Sequence, residues 1–197
     1  MLRLTIYLAL ALSLPACNRG PADPCAGAEA CKTEGLCASL QGRCIAVTEA
    51  HCLASQKCQT LGQCTHQNGR CSAVTVKDCQ THSTLCAEAG MCVPRGGVCS
   101  ATTGTSCRQA KGRMMKVDRS WVTVDLCKGL GQCHALDGRC QSRGHGDCEL
   151  SAICKEWGRC HAYKGTCLAN SDGDCRKSKA CRDTGACVER DGKCLKP

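Results

Sequence analysis

Phenylalanine does not occur among the 197 residues of this chain, and tryptophan and tyrosine occur twice each. Between Cys17 and Pro197 only 22 residues are Leu, Ile or Val, about 12% of that stretch, too few to fill a conventional hydrophobic core. A single domain folded around such a core is therefore not expected. The one long apolar run, "LTIYLALALSL" at Leu4–Leu14, has eleven residues, whereas a helical membrane span takes about 20. No two cysteines stand in C-x-C or C-x-x-C spacing, the tight pairs on which zinc sites, iron–sulfur clusters and thioredoxin-type centres are built. H-E-x-x-H, G-x-S-x-G and phosphate-cradling glycine loops are missing as well. Beyond residue 17 only Trp121, Trp157 and Tyr163 could stack on bases, so specific nucleic-acid binding is not expected.

Cysteine is abundant instead, 25 residues in all. That density suits an oxidising compartment, where cross-links stand in for a core. Twenty-four of them form six sets of four. Cys25, Cys31, Cys37 and Cys44 open the series as C-x5-C-x5-C-x6-C, and Cys52, Cys58, Cys64 and Cys71 repeat it. Cys79, Cys86, Cys92 and Cys99 carry one extra residue in the first gap, while Cys107, Cys127, Cys133 and Cys140 carry 14 there. Cys148, Cys154, Cys160 and Cys167, then Cys175, Cys181, Cys187 and Cys194, return to the basic spacing. Repeat units follow at 25–48, 49–75, 76–103, 104–144, 145–171 and 172–197. Cys17 is left over.

Glycine keeps the same register. Gly35, Gly62, Gly90, Gly131, Gly158 and Gly185 stand two before each third cysteine, and Gly42, Gly69, Gly97, Gly138, Gly165 and Gly192 two before each fourth. The first set suits the left-handed residue that stops a helix, so the first gap reads as a short helix. Ser106, Asp78, Asp147 and Asp174, each just before a first cysteine, read as its N-terminal caps. The second set lies in Asn68-Gly69, Asp137-Gly138 and Asp191-Gly192, dipeptides that favour the type I′ turn of a two-residue hairpin. Gln67 then faces Arg70. Small residues two past the fourth cysteine (Ala46, Ala73, Ala101, Ser142 and Ala169) leave room for close packing on that face, with Lys196 the exception. The fold class expected is a small disulfide-rich tandem repeat, each unit a short helix on a β-hairpin with two disulfides. Four cysteines allow three pairings and spacing selects none. Geometry favours the nested one, because second and third cysteines flank the glycine reversal while first and fourth lie at the far ends.

The leftover cysteine has a context. Residues 1–16 carry Arg3 and then the apolar run, the outline of a secretory signal. "LPAC" at 14–17 resembles a bacterial lipobox. That resemblance implies acylation of Cys17 through sulfur, cleavage before it and a second acylation at its amine, which together hold a protein firmly to a membrane. Asn18, where lipoproteins retained in the inner membrane commonly carry Asp, implies the outer membrane of a Gram-negative envelope. The stretch 17–24 is then a lipidated cysteine with a short linker. From Cys17 onward the chain resembles cysteine-rich repeat lipoproteins of bacteria, a likeness that brings no activity with it.

The remaining signals are local. Net charge is +9, interspersed along the chain, which favours solubility and a loose attraction to anionic surfaces. Arg43, Arg70, Arg139 and Lys193 each precede a fourth cysteine. They fit a solvated strand face that discourages edge pairing or a stripe that meets an anionic envelope polymer. His134 and His161 share a repeat position and read as solvated strand residues. The insertion "RQAKGRMMKVDRSWVTVDL" at 108–126 breaks the pattern, with Val122, Val124 and Leu126 alternating with Trp121, Thr123 and Asp125 as in a strand. It reads as an extended loop, as an extra strand, or as a partner-binding segment using Met114, Met115, Arg119 and Trp121.

The expected function is a non-enzymatic, lipid-anchored scaffold of the cell envelope. No catalytic residue, metal or cofactor is expected; the partners are the membrane through Cys17 and a protein or anionic polymer. Inhibition of secreted hydrolases is the alternative, and a thiol-based metal or redox store a more distant one.

Overall fold

A computed structural model describes residues 23–117 and 120–197, apart from the side chains of residues 113–122. The first unit has one helix, Glu29–Glu34, and a hairpin, Ala38–Leu40 with Arg43–Ile45. The second has helices Glu49–Leu53 and Gln56–Leu61 and strands Thr65–Gln67 and Arg70–Ser72; the third has Val76–Gln80, Leu85–Ala89, Val93–Arg95 and Val98–Ser100. The fourth runs Gly104–Gln109, an additional hairpin of Arg113–Val117 and Ser120–Val124, then Leu126–Leu130, His134–Leu136 and Arg139–Gln141. The fifth comprises His145–Glu149, Ala152–Trp157, His161–Tyr163 and Thr166–Leu168. Asp172–Arg176, Lys179–Thr184, Val188–Arg190 and Lys193–Leu195 make up the sixth. Every sheet is a two-stranded antiparallel hairpin.

The hairpin turns follow from their sequence. Gln67 pairs with Arg70, and Asn68 and Gly69 both have positive φ, 49° and 75°, the backbone of a type I′ turn. Gln41-Gly42, Asp137-Gly138, Lys164-Gly165 and Asp191-Gly192 repeat it, and Gly96-Gly97 serves in the third unit.

The first gap folds differently from a single helix. In five units it holds two helices of one to two turns. In the second, fifth and sixth they break at Ser55, Ser151 and Ser178, each buried. Ser55 Oγ donates to the Cys52 carbonyl at 2.7 Å and accepts the Cys58 N–H at 3.1 Å. Thus the serine closes one helix and opens the next, and both are far shorter than the roughly 12–15 residues at which an isolated helix becomes even marginally stable. The caps of the first helices lie three residues before Asp78, Ser106, Asp147 and Asp174, at Thr75, Thr103, Gly144 and Ser171, and Thr48 holds the same place in the second unit. Asp78, Asp147 and Asp174 sit inside the first turn and reach back to backbone N–H groups of residues before the helix. Asp78 with Thr75 forms a reciprocal capping box.

All 24 described cysteines pair, and the pairing is nested. First joins fourth in Cys25–Cys44, Cys52–Cys71, Cys79–Cys99, Cys107–Cys140, Cys148–Cys167 and Cys175–Cys194. Second joins third in Cys31–Cys37, Cys58–Cys64, Cys86–Cys92, Cys127–Cys133, Cys154–Cys160 and Cys181–Cys187. The protein is thus a cysteine-rich array of six units with twelve disulfides and none between units. In the chain-entropy picture an outer bridge contributes about 3 kcal/mol and an inner one about 2 kcal/mol. Such numbers make disulfides the main substitute for a core.

What core exists lies between units. Ala46 packs with Cys52 and Cys71 of the following unit, Ala73 with Cys79 and Cys99, and Ala101 with Cys107 and Cys140. One hydrogen bond recurs at all five junctions. The N–H groups of Ala46, Ala73, Ala101, Ser142 and Ala169 donate to the carbonyls of Gly69, Gly97, Gly138, Gly165 and Gly192, at 2.8–3.0 Å. Each hairpin's turn therefore abuts the base of the hairpin before it, like stairs. A larger residue at the donor position would push the next step away, which is why the position is small.

Candidate functional site

Three places could carry function: the lipidation motif, the inserted hairpin and the exposed stair edges. The leader 1–16 and Cys17 lie outside the described residues, as do Arg119 and the side chains of Met114, Met115 and Trp121. No helix among the described residues is long and apolar enough to cross a membrane.

The insertion is a complete hairpin. Met114 pairs with Thr123, Met115 with Val122 and Lys116 with Trp121. Among the described strands it bonds to no other. Its alternation ends at Val124, one pair sooner than the sequence suggested, because Asp125 caps a helix through its carboxylate on the Lys128 N–H at 2.8 Å. Leu126 starts that helix and is buried with Ala101, Cys107, Ala110 and Cys140. The base is pinned further by the Lys111 N–H on the Ala87 carbonyl of the preceding unit, at 2.7 Å. The scaffold thus fixes both roots of the hairpin.

On the stair edges the outermost cross-strand pair of each hairpin, next to the turn, stays uncovered. Arg43, Arg70, Arg139 and Lys193 are all exposed there. In the third unit, where Val98 takes that position, the cation comes from across the ladder, Arg95 opposite Val98. Sequence reading missed it by following one strand only; the residue before each turn, three positions earlier, was the available signal. Between the third step and the fourth turn lies an open cleft of about 470 Å³, lined by Arg95, Ser100, Thr102, Ala135 and Asp137 among others.

Polar contacts among the described residues tie units together. His134, expected as a solvated strand residue, is half-buried with Nε2 3.3 Å from Asp147 of the next unit. Thr65, at the equivalent place, donates its hydroxyl to Asp78 at 2.9 Å. Burial works to raise the Asp78 pKa, but the N–H groups of Thr75 and Val74 and two threonine hydroxyls outweigh it and hold the carboxyl below its ordinary value. Asp23 is also held low, by the backbone N–H groups of Ser39 and Cys25, and so ties the chain entry to the first hairpin. The rings of His145 and His161 meet at a tilt of 51°, with centroids 3.9 Å apart. No group of three or more His, Cys, Asp or Glu side chains among the described residues is placed to hold a metal ion. No known family model, curated protein or solved structure matches the chain.

Proposed function

We propose that this chain is a lipid-anchored, non-enzymatic scaffold of the cell envelope that captures a protein partner through the hairpin inserted in its fourth unit. The observation that carries the reading is the contrast between six repeat hairpins joined in series by one repeated hydrogen bond at five junctions and one additional hairpin, Arg113–Val117 with Ser120–Val124, that stands outside that repeat. A disulfide-stapled array is a stiff support, and recognition commonly sits on the segment such a support holds out. Met114, Met115, Arg119 and Trp121 are the candidate contact residues, and Cys17 the membrane anchor. Twelve disulfides point to an extracytoplasmic compartment, which agrees with export through the leader.

Two measurements test this. Intact mass of the native protein after alkylation without reduction should begin at acylated Cys17 and gain no alkyl label; a processed chain that starts elsewhere, or that labels, overturns the anchored scaffold. Cross-linking on cells should then lose its principal partner on deletion of 110–123. An unchanged set of cross-linked proteins overturns the role of the hairpin.

Inhibition of secreted hydrolases is the second reading. It draws on the type I′ tips, whose backbone is fixed by the turn and by a disulfide on either side, as a substrate mimic would require. A panel of secreted proteases decides it: inhibition below micromolar concentration supports it, and cleavage or indifference rejects it. A thiol store needs free cysteines, and all 24 described ones are bridged.

A further inference from the structure

Carboxylates along the array lie mostly outside the six repeat hairpins, whereas cations occur in both kinds of element. Every unit presents a cation from its hairpin strands or turn: Arg43, Arg70, Arg95, Arg139, Lys164 and Arg190, all exposed. The same segments hold carboxylates in two units alone, Asp137 in the fourth and Glu189 and Asp191 in the sixth. The ion pairs among the described residues are Lys57–Glu34, Arg176–Asp172 and Lys179–Glu156, with His134 close to Asp147. None of the six hairpin cations takes part in them.

Beside these cations stand apolar side chains. Leu40 lies across the ladder from Arg43, Val98 from Arg95 and Leu136 from Arg139. Tyr163 has the Lys164 ammonium 5.2 Å from its ring centroid. Leu40 is 57% exposed and Tyr163 53%. Each such step therefore offers an unpaired positive charge next to a small apolar platform. An acidic sugar has the matching features, an anionic group and a face of C–H bonds that packs on aliphatic or aromatic side chains. The open cleft beside Arg95 is lined by Ser100, Thr102 and Asp137, groups that suit sugar hydroxyls. Since the junction bond is the same at all five boundaries, equivalent steps recur from unit to unit. A polymer bound at one step then meets the next at high effective concentration.

We infer that the stepped hairpin face binds a linear anionic polysaccharide, a chain of uronate or sulfated sugars. This adds a partner class to the scaffold reading and rests on it for the array remaining cross-linked. A membrane surface is the competing occupant, but Leu40, Leu136 and Tyr163 each directly precede a turn and have a cation within three residues in the sequence, unlike the broad apolar face that inserts among lipids.

The test uses the full-length chain in neutral detergent, with polygalacturonate, dextran sulfate, uncharged dextran and phosphatidylglycerol vesicles as probes. One variant changes Arg43, Arg70, Arg95 and Arg139 to Gln. A charge-matched control changes Lys32, Lys77, Lys128 and Lys155, exposed cations of the helices, to Gln. Binding to polygalacturonate or dextran sulfate is expected, weakening as salt rises past about 0.1 M, where the screening length falls below about 10 Å. The hairpin variant should bind on the order of tenfold more weakly and the helix control within about twofold of the parent. No binding to either polyanion, equal loss in both variants, equal binding to uncharged dextran, or binding to vesicles alone overturns the inference. Alkylation without reduction is read on the same samples. A chain that takes no label yet ignores both polyanions sinks this inference and leaves the scaffold standing, whereas labelling of the parent sinks the scaffold.

Discussion

Gly158 and Gly185 occupy the same place in neighbouring units and share a left-handed backbone, φ 70° and 76°, yet their surroundings are opposite. A Cβ on Gly158 would lie 2.7 Å from Cys194 Sγ and 2.9 Å from the Asp174 carbonyl oxygen, both in the sixth unit. On Gly185 it would meet nothing within 4 Å. The difference separates two demands that a repeated glycine normally hides, one from the helix stop and one from the neighbour. Ala169 and Lys196 make the same contrast at the hairpin base: Ala169 is 1% exposed, whereas Lys196 stands in solvent.

Six substitutions sharpen that contrast. The largest effect is expected from Ala169→Lys, which forces a long charged side chain into a closed junction at a cost of about 4 kcal/mol. Amide exchange at residue 169, whose N–H bonds to the Gly192 carbonyl, should accelerate by two to three orders of magnitude, capped by the local opening energy. Lys196→Ala should change nothing beyond about 0.5 kcal/mol. Next, Gly158→Ala should cost about 3 kcal/mol, combining left-handed strain with a clash against backbone, while Gly185→Ala should cost only the strain, about 1 kcal/mol. Equal losses at the two sites in non-reducing denaturant titrations would show that the neighbour imposes nothing.

Ser178→Ala ranks third. It removes the acceptor for the Cys181 N–H and the donor to the Cys175 carbonyl, for about 1–2 kcal/mol, although alanine fills the matching place as Ala110 in the fourth unit. Faster exchange of the Cys181 amide would report it. The smallest effect concerns pH. Asp78 has a folded pKa below its unfolded value, so its contribution is complete above about pH 4 and disappears as pH falls through the folded value. Parent protein should therefore loosen between the second and third units as acid is added below pH 4. Asp78→Asn should flatten that dependence and cost about 1 kcal/mol at neutral pH; an unchanged acid profile in the variant would assign the loosening elsewhere.

The sequence made some of this legible and hid the rest for physical reasons. Unit number, turn positions and helix stops could be read because cysteine and positive-φ glycine mark their places by identity. Nested pairing followed from the reversal at Gly35 and its equivalents. Cap positions were misread because Asp78 and Thr75 are both good cap formers, and only their reciprocal bonding tells which lies outside the helix. A sharper signal was present: Thr48, Thr75, Thr103 and Ser171 all stand four before a first cysteine. The break at Ser55 was concealed because a buried serine looks like any polar loop residue until its two backbone partners are known. His134 with Asp147, and Arg95 opposite Val98, needed the junction and the ladder, which no single stretch of chain contains.

Because every outer bridge closes within one unit, the protein has an unusual response to pulling. Tension applied at the ends would cross each unit through the bridge from first to fourth cysteine, 5.5 Å between Cα atoms at Cys25–Cys44. It would load only the seven residues that separate one unit's last cysteine from the next unit's first, as between Cys44 and Cys52. At about 3.4 Å per residue, the stretch from Cys25 to Cys194 could extend to about 170 Å, against roughly 570 Å once reduced. An intact array would behave as a cord of limited reach, and a reducing environment would more than triple that limit.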